Sequence, residues 1–141
     1  MKTRAEVVAE ARSWAGTPWV HQQRTKGAAV DCAGLVIGVA RALGLVPECF
    51  DIQGYVRVPD GSLLDRCGEV MTRIDKATMQ PGDVLVVATD SEPAHMGILG
   101  DYRHGGLSLI HAANNRGVIE HRLMFARNLR FKAAYALPGV A

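Results

Sequence analysis

The chain changes its hydrophobic period near its middle, and that change restricts its fold more than any other feature. Up to Ile74 apolar residues recur at steps of three and four. Beyond the turn Gln80-Pro81-Gly82-Asp83 they come in short runs and alternate in twos. Thr3-Arg4-Ala5-Glu6 is a capping box, in which a hydroxyl and a carboxylate satisfy amides that a helix start leaves open. It predicts a helix from Thr3 with Val7, Val8, Ala11, Trp14 and Ala15 on one face, ended by Gly16 and Pro18. Pro18 to Val30 reads as a loop. Asp31 is an N-cap type for a second helix that buries Leu35, Val36, Val39, Ala42 and Leu43, with Gly44 just past its end. A third helix is expected over Ser62 to Ile74, with Leu64, Cys67, Met71 and Ile74 in one stripe. Strands are expected at Val84–Ala88, His95–Gly100, Leu107–Ala112 and Gly117–Arg122. The alternation of Leu129, Phe131, Ala133, Tyr135 and Leu137 predicts a last strand with one buried face. Helices followed by closely spaced strands imply an α+β domain, its N-terminal helices packed on an antiparallel β-sheet of about five strands. Residues 1–141 suit one such domain with one core.

Composition excludes several classes. With 48% hydrophobic and 21% charged residues the chain is not a disordered one. Its net charge of +2 is spread out, and the looser group Arg116, Arg122, Arg127, Arg130 and Lys132 reads as a solvated face, so no nucleic-acid partner is expected. No apolar run is long enough to span a membrane. Met1 to Ala15 carries Lys2, Arg4, Glu6, Glu10 and Arg12, so it holds no signal-peptide core, and action outside the cytoplasm would require another route of delivery or a signal already removed. Cys32, Cys49 and Cys67 form no C-x-x-C pair, which argues against a disulfide scaffold and a structural zinc site. At least one thiol is expected to be free.

Cys32 is the thiol of interest. It follows the N-cap Asp31 and so sits in the first turn of an apolar helix that needs neither an acid nor a thiol for packing. Unpaired amides and the positive end of the helix dipole favour thiolate there, and the same amides can bind an oxyanion formed beside the sulfur. Gly34 is read as leaving room for a substrate backbone. A thiol nucleophile needs a base. If the strands holding His95 and His111 form a hairpin centred on Arg103, the two histidines lie directly opposite, with Cβ atoms roughly 4.5–5.5 Å apart. His95 is then assigned as base and His111 as the residue that orients it. His104, at the loop tip, is read as solvated, His121 is given no role, and His21, in the loop before Cys32, is a candidate for the substrate cleft.

These pieces, in this order, resemble the NlpC family of cell-wall cysteine peptidases. The matching segments are A-R-S-W-A-G-T-P-W (Ala11 to Trp19), V-D-C-A-G-L-V (Val30 to Val36), P-G-D-V-L (Pro81 to Leu85), H-M-G-I-L (His95 to Leu99) and I-H-A-A-N-N-R-G-V (Ile110 to Val118). The stretch from Gly16 to Cys32 is most similar to the phage-associated branch, which includes proteins encoded beside tail genes. The resemblance implies a papain-like α+β fold and hydrolysis of an amide in the peptidoglycan stem peptide, commonly between D-glutamate and a diamino acid. It implies the roles already assigned: Cys32 nucleophile, His95 base, His111 orienting residue, with no metal or cofactor. It also implies a place of action at the bacterial cell wall, with peptidoglycan peptides as substrate and phage tail proteins as partners if the chain belongs to that branch.

Two departures from the family pattern stand out. Many members have D-C-S-G where this chain has Asp31-Cys32-Ala33-Gly34, which alters a substrate contact but spares the nucleophile. Many also carry a tyrosine, thought to assist near the oxyanion, where this chain has Trp19, whose indole N–H is a donor only. The expected oxyanion and cleft set is thus Asp31, Trp19, His21 and Gly34, with the segment around Glu92. Two rival readings use the same fold: a tail or envelope assembly protein, and a thiol acyltransferase with a lipid or amine acceptor.

Overall fold

The computed structural model describes residues 1–51, 67–90 and 94–141. Helix α1 (Arg4–Arg12) starts where its capping box requires: the Thr3 hydroxyl accepts from the Glu6 amide at 3.1 Å, and the Glu6 carboxylate accepts from the Thr3 amide at 2.7 Å. Between the helices, β1 (Arg24–Thr25) and β2 (Ala29–Val30) form a two-stranded hairpin inside the stretch expected to be a loop. Helix α2 (Cys32–Ala42) follows, and its residues from Cys32 to Ala40 are all buried.

Among the described residues the main sheet has six strands in the order β3-β8-β4-β5-β6-β7, all neighbours antiparallel. The strands are β3 (Thr72–Ile74), β4 (Val84–Ala88), β5 (His95–Asp101), β6 (Leu107–Ala113), β7 (Gly117–Arg122) and β8 (Arg130–Ala136). The sixth strand corrects the helix expected over Ser62 to Ile74. Residues 67–70 are helical, but Thr72–Ile74 pair with Ala134–Ala136. An apolar spacing of Cys67, Met71 and Ile74 fits a helix, yet the free edge of β8 takes Thr72–Ile74 into the sheet. Leu64, the rest of that expected helix and Glu92 lie outside the described residues.

Both helices pack on one face of the sheet. Val7, Val8, Ala11, Leu35, Val36 and Val39 meet Val84, Val86, Met96, Ile98, Ile110 and Ala112 in the main core. The opposite face carries Leu85, Val87, Leu99 and Leu109, covered by Leu123, Phe125, Leu129 and Phe131. Strand β8 therefore does not bury one face throughout. Its register against β4 shifts between Val86, opposite Ala133, and Val87, opposite Phe131. The extra residue, Lys132, is a bulge that puts Phe131 on one side and Ala133 and Tyr135 on the other. The basic group Arg116, Arg122, Arg127, Arg130 and Lys132 is exposed throughout. Among the described residues no helix is long and apolar enough to cross a membrane.

Candidate active site

The mouth of α2 is held by a buried carboxylate. Asp31 adopts extended backbone, and its Oδ1 accepts from the Gly34 amide at 2.7 Å, so the helix begins at Cys32. The same carboxylate accepts from the Gln22 amide at 2.7 Å and from Arg24 Nη1 at 2.7 Å. Arg24, almost fully buried, continues to Asp51 at 2.9 Å. Asp31 itself is 2% exposed, so it is an anchor between helix and hairpin rather than a cleft residue. Gly34 is also corrected. A Cβ there would stand 2.3 Å from the Gln23 carbonyl oxygen, so the room left by Gly34 is taken by the chain's own hairpin, not kept for substrate. His21 is half-buried with Nδ1 3.8 Å from Asp31 Oδ2, and Trp19 packs half-buried against the main core.

The two assigned histidines meet, though not in the expected register. The β5–β6 hairpin is centred on His104, one residue beyond Arg103, and pairs Ile98 with Ile110 and Asp101 with Leu107. Its five-residue connection closes with the Tyr102 amide on the Gly106 carbonyl, with Gly105 and Gly106 at positive φ. His95 and His111 are therefore diagonal neighbours. A shift of two residues keeps both rings on one face, where a shift of one would have parted them. His95 Nε2 lies 2.7 Å from His111 Nδ1, with the rings nearly perpendicular at 78°. Gly97 makes the diagonal contact passable: a Cβ there would lie 2.7 Å from the Ile110 carbonyl oxygen and 2.9 Å from His111 Cβ.

His121, given no role by the sequence, joins this pair. Its Nε2 lies 2.8 Å from His111 Nε2, and its Nδ1 lies 2.9 Å from the Arg122 carbonyl oxygen. His111 faces Ile119 across the β6–β7 ladder, so His121 stands to it in the same diagonal relation as His95. The missed signal was that second hairpin, whose register places three imidazoles along one face. The middle ring is buried, and burial pushes the His111 pKa down to about 3, helped by His95, His121 and Arg116.

Backbone hydrogen bonds tie the thiol helix to this end of the sheet. Gly16 donates to Val118, and Val118 donates to Thr17, where β7 begins beside the end of β6. The same segment continues into Val20, which donates to Val30, while Val30 donates to Pro18. Val30 leads directly into Asp31 and Cys32. Helix α2 then packs on β5 and β6, the strands that carry His95 and His111. All three cysteines are free; Cys32 and Cys67 are buried and Cys49 is exposed. Burial, with a smaller effect of Cys32, pushes the Cys67 pKa up to about 12, so Cys67 is a packing thiol.

The architecture is that of papain-like α+β hydrolases, as solved structures attest. The chain is 25% identical to the NlpC/p60 domain of the peptidoglycan hydrolase SagA, covering 94% of this chain and 97% of that one with a TM-score of 0.63. It overlays NlpC2 from Trichomonas vaginalis at 20% identity and TM-score 0.68, covering 96% of this chain and 46% of that one. It overlays an N-acetylmuramoyl-L-alanine amidase from Bacteroides uniformis at 11% identity and TM-score 0.61, covering 96% and 98%. Residues 16–131 match the NlpC/P60 family, and the chain belongs to it. The match is to the family as a whole and does not single out its phage-associated branch. A comparison with curated proteins found no match.

Proposed function

We propose that the chain is a cysteine peptidase that hydrolyses an amide of the peptidoglycan stem peptide, between D-glutamate and a diamino acid. The observation that carries this reading is the buried His95–His111 contact of 2.7 Å at the sheet end to which the Cys32 helix mouth is tied. The likeness to a peptidoglycan hydrolase domain and to a muramoyl-alanine amidase supports the substrate class.

In this reading the Cys32 thiol passes its proton to His95, and the sulfur attacks the carbonyl carbon. The tetrahedral oxyanion is met by first-turn amides of α2, those of Cys32 and Ala33, since Asp31 already takes the amide of Gly34. His95 returns the proton to the leaving amine. Water, deprotonated by the same ring, then splits the thioester and frees the acid. Trp19 and His21, half-exposed on the stretch leading to Cys32, line the cleft. His111 holds the His95 ring in place and, kept neutral, adds no charge that would oppose the imidazolium.

The test is mass spectrometry of products from defined stem peptides. Wild type should split each peptide at the D-glutamyl bond into an acid fragment and an amine fragment, and Cys32→Ala should release neither. Undiminished cleavage by Cys32→Ala would exclude the mechanism.

A further inference from the structure

We propose that His121 is a positioning residue, the last imidazole in a three-ring chain that decides which nitrogen of His95 is bare; the proposal rests on the reading of His95 as base. A carbonyl oxygen only accepts, so the contact with Arg122 requires the hydrogen of His121 on Nδ1. Neutral His121 then has a bare Nε2, which can only accept. Its partner at 2.8 Å, His111 Nε2, must therefore carry a hydrogen. His111 stays neutral in its buried position, so its Nδ1 is bare. The partner of that nitrogen at 2.7 Å, His95 Nε2, must in turn carry a hydrogen. Neutral His95 then holds its lone pair on Nδ1, the nitrogen that would take the thiol proton.

The chain has a second state. If His121 takes another proton, both of its nitrogens donate. His111 must then move its hydrogen to Nδ1, and His95 must carry its own hydrogen on Nδ1. The base is blocked by an event two rings away. Of the three rings His121 is the exposed one, while His95 and His111 are 2% and 8% exposed. The groups around it are His111 from β6, Glu120 and Arg122 from β7, Arg12 from α1, and Asp101, Tyr102 and Arg103 at the end of β5 and its turn. The acids among them are already engaged. Glu120 binds Arg12 at 2.9 Å and Ser108 at 2.6 Å, and Asp101 binds Arg12 at 3.1 Å. His121 is thus left to couple to the imidazole chain.

The experiment compares wild type, His121→Ala and His121→Gln in kcat and KM across pH, beside imidazole nitrogen NMR of the three full-length proteins. Losing the acceptor in His121→Ala should lower kcat on the order of tenfold and leave KM within about twofold, a fraction of what general acid–base catalysis typically supplies. His121→Gln offers an amide oxygen that accepts from His111 but cannot be protonated. It should restore kcat at neutral pH and carry activity further into acid than wild type. Nitrogen spectra should show His95 Nδ1 bare in wild type and in His121→Gln, and partly hydrogen-bearing in His121→Ala. Hydrolysis that needs Cys32 but is unchanged in rate and pH profile by His121→Ala would overturn this proposal and leave the peptidase reading intact. If wild type cleaves no stem peptide, the spectra decide alone. The difference at His95 Nδ1 would sustain the proposal, and identical His95 spectra in all three proteins would overturn it.

Discussion

Gly97 shows how much of the site depends on one missing methyl group. Position 97 lies on the face of β5 that carries His95, one residue before the Ile98–Ile110 pair, and a Cβ there would collide with the Ile110 carbonyl and with His111 Cβ. Gly97→Ala should therefore cost about 1–3 kcal/mol, the usual penalty for overpacking a filled interior. It should also part the two imidazoles, so peptide hydrolysis should fall further than the loss of stability explains. Urea unfolding together with the hydrolysis rate checks both, and an alanine variant equal to wild type in each would refute the close approach. Cys32, His95 and His111 stand out as candidates in the sequence because residue type and helix position suggest thiol chemistry. The places of Gly97 and His121 beside His111 do not, since both follow from registers that the hairpin turns set. The substrate room assigned to Gly34 failed for a related reason: the Gln23 carbonyl that fills it arrives from a hairpin the sequence read as loop.

Elements whose signals are local were legible. The capping box started α1 at the expected place, Asp31 started α2, and β4 and β7 have the bounds that their apolar runs predict. Elements fixed by distant partners were not. Thr72–Ile74 became a strand because β8 offered an edge, and β8 changed face at Lys132 because its neighbour's register shifted. The β1–β2 hairpin belongs to the same group, held to α2 through Arg24 between Asp31 and Asp51. Arg24→Met would leave two low-exposure carboxylates without that guanidinium. By the usual cost of breaking a buried ion pair it should destabilise the fold by about 3 kcal/mol. Asp31→Asn keeps an oxygen for the Gly34 amide and should cost less than Asp31→Ala. Chemical denaturation of the three variants ranks them, and equal midpoints for Asn and Ala would show that the helix cap does not matter.

For the molecule as a whole, the buried imidazole sets a pH dependence of stability. The His111 pKa is about 3 in the folded chain, against an ordinary value near 6.5 when unfolded. Between these values the unfolded chain binds a proton that the folded chain refuses. Stability should accordingly rise with pH across this window and be lost as pH falls from about 6.5 toward 3, by up to roughly 1.4 kcal/mol per pH unit. Glu120, held below its usual range chiefly by its hydrogen bond to Arg12, adds a loss confined to lower pH. Thermal unfolding should show the slope in wild type and a flatter profile above the carboxylate range in His111→Asn; equal slopes would place its origin elsewhere. The claim on which the functional reading turns is that Cys32 is activated by His95, and the three thiols allow a direct measurement of it. Alkylation by iodoacetamide at neutral pH, resolved by peptide mapping, should modify Cys32 faster than exposed Cys49 and leave Cys67 nearly untouched, with the Cys32 rate falling sharply in His95→Gln. A Cys32 as inert as Cys67, or one whose rate ignores the loss of His95, would contradict the account.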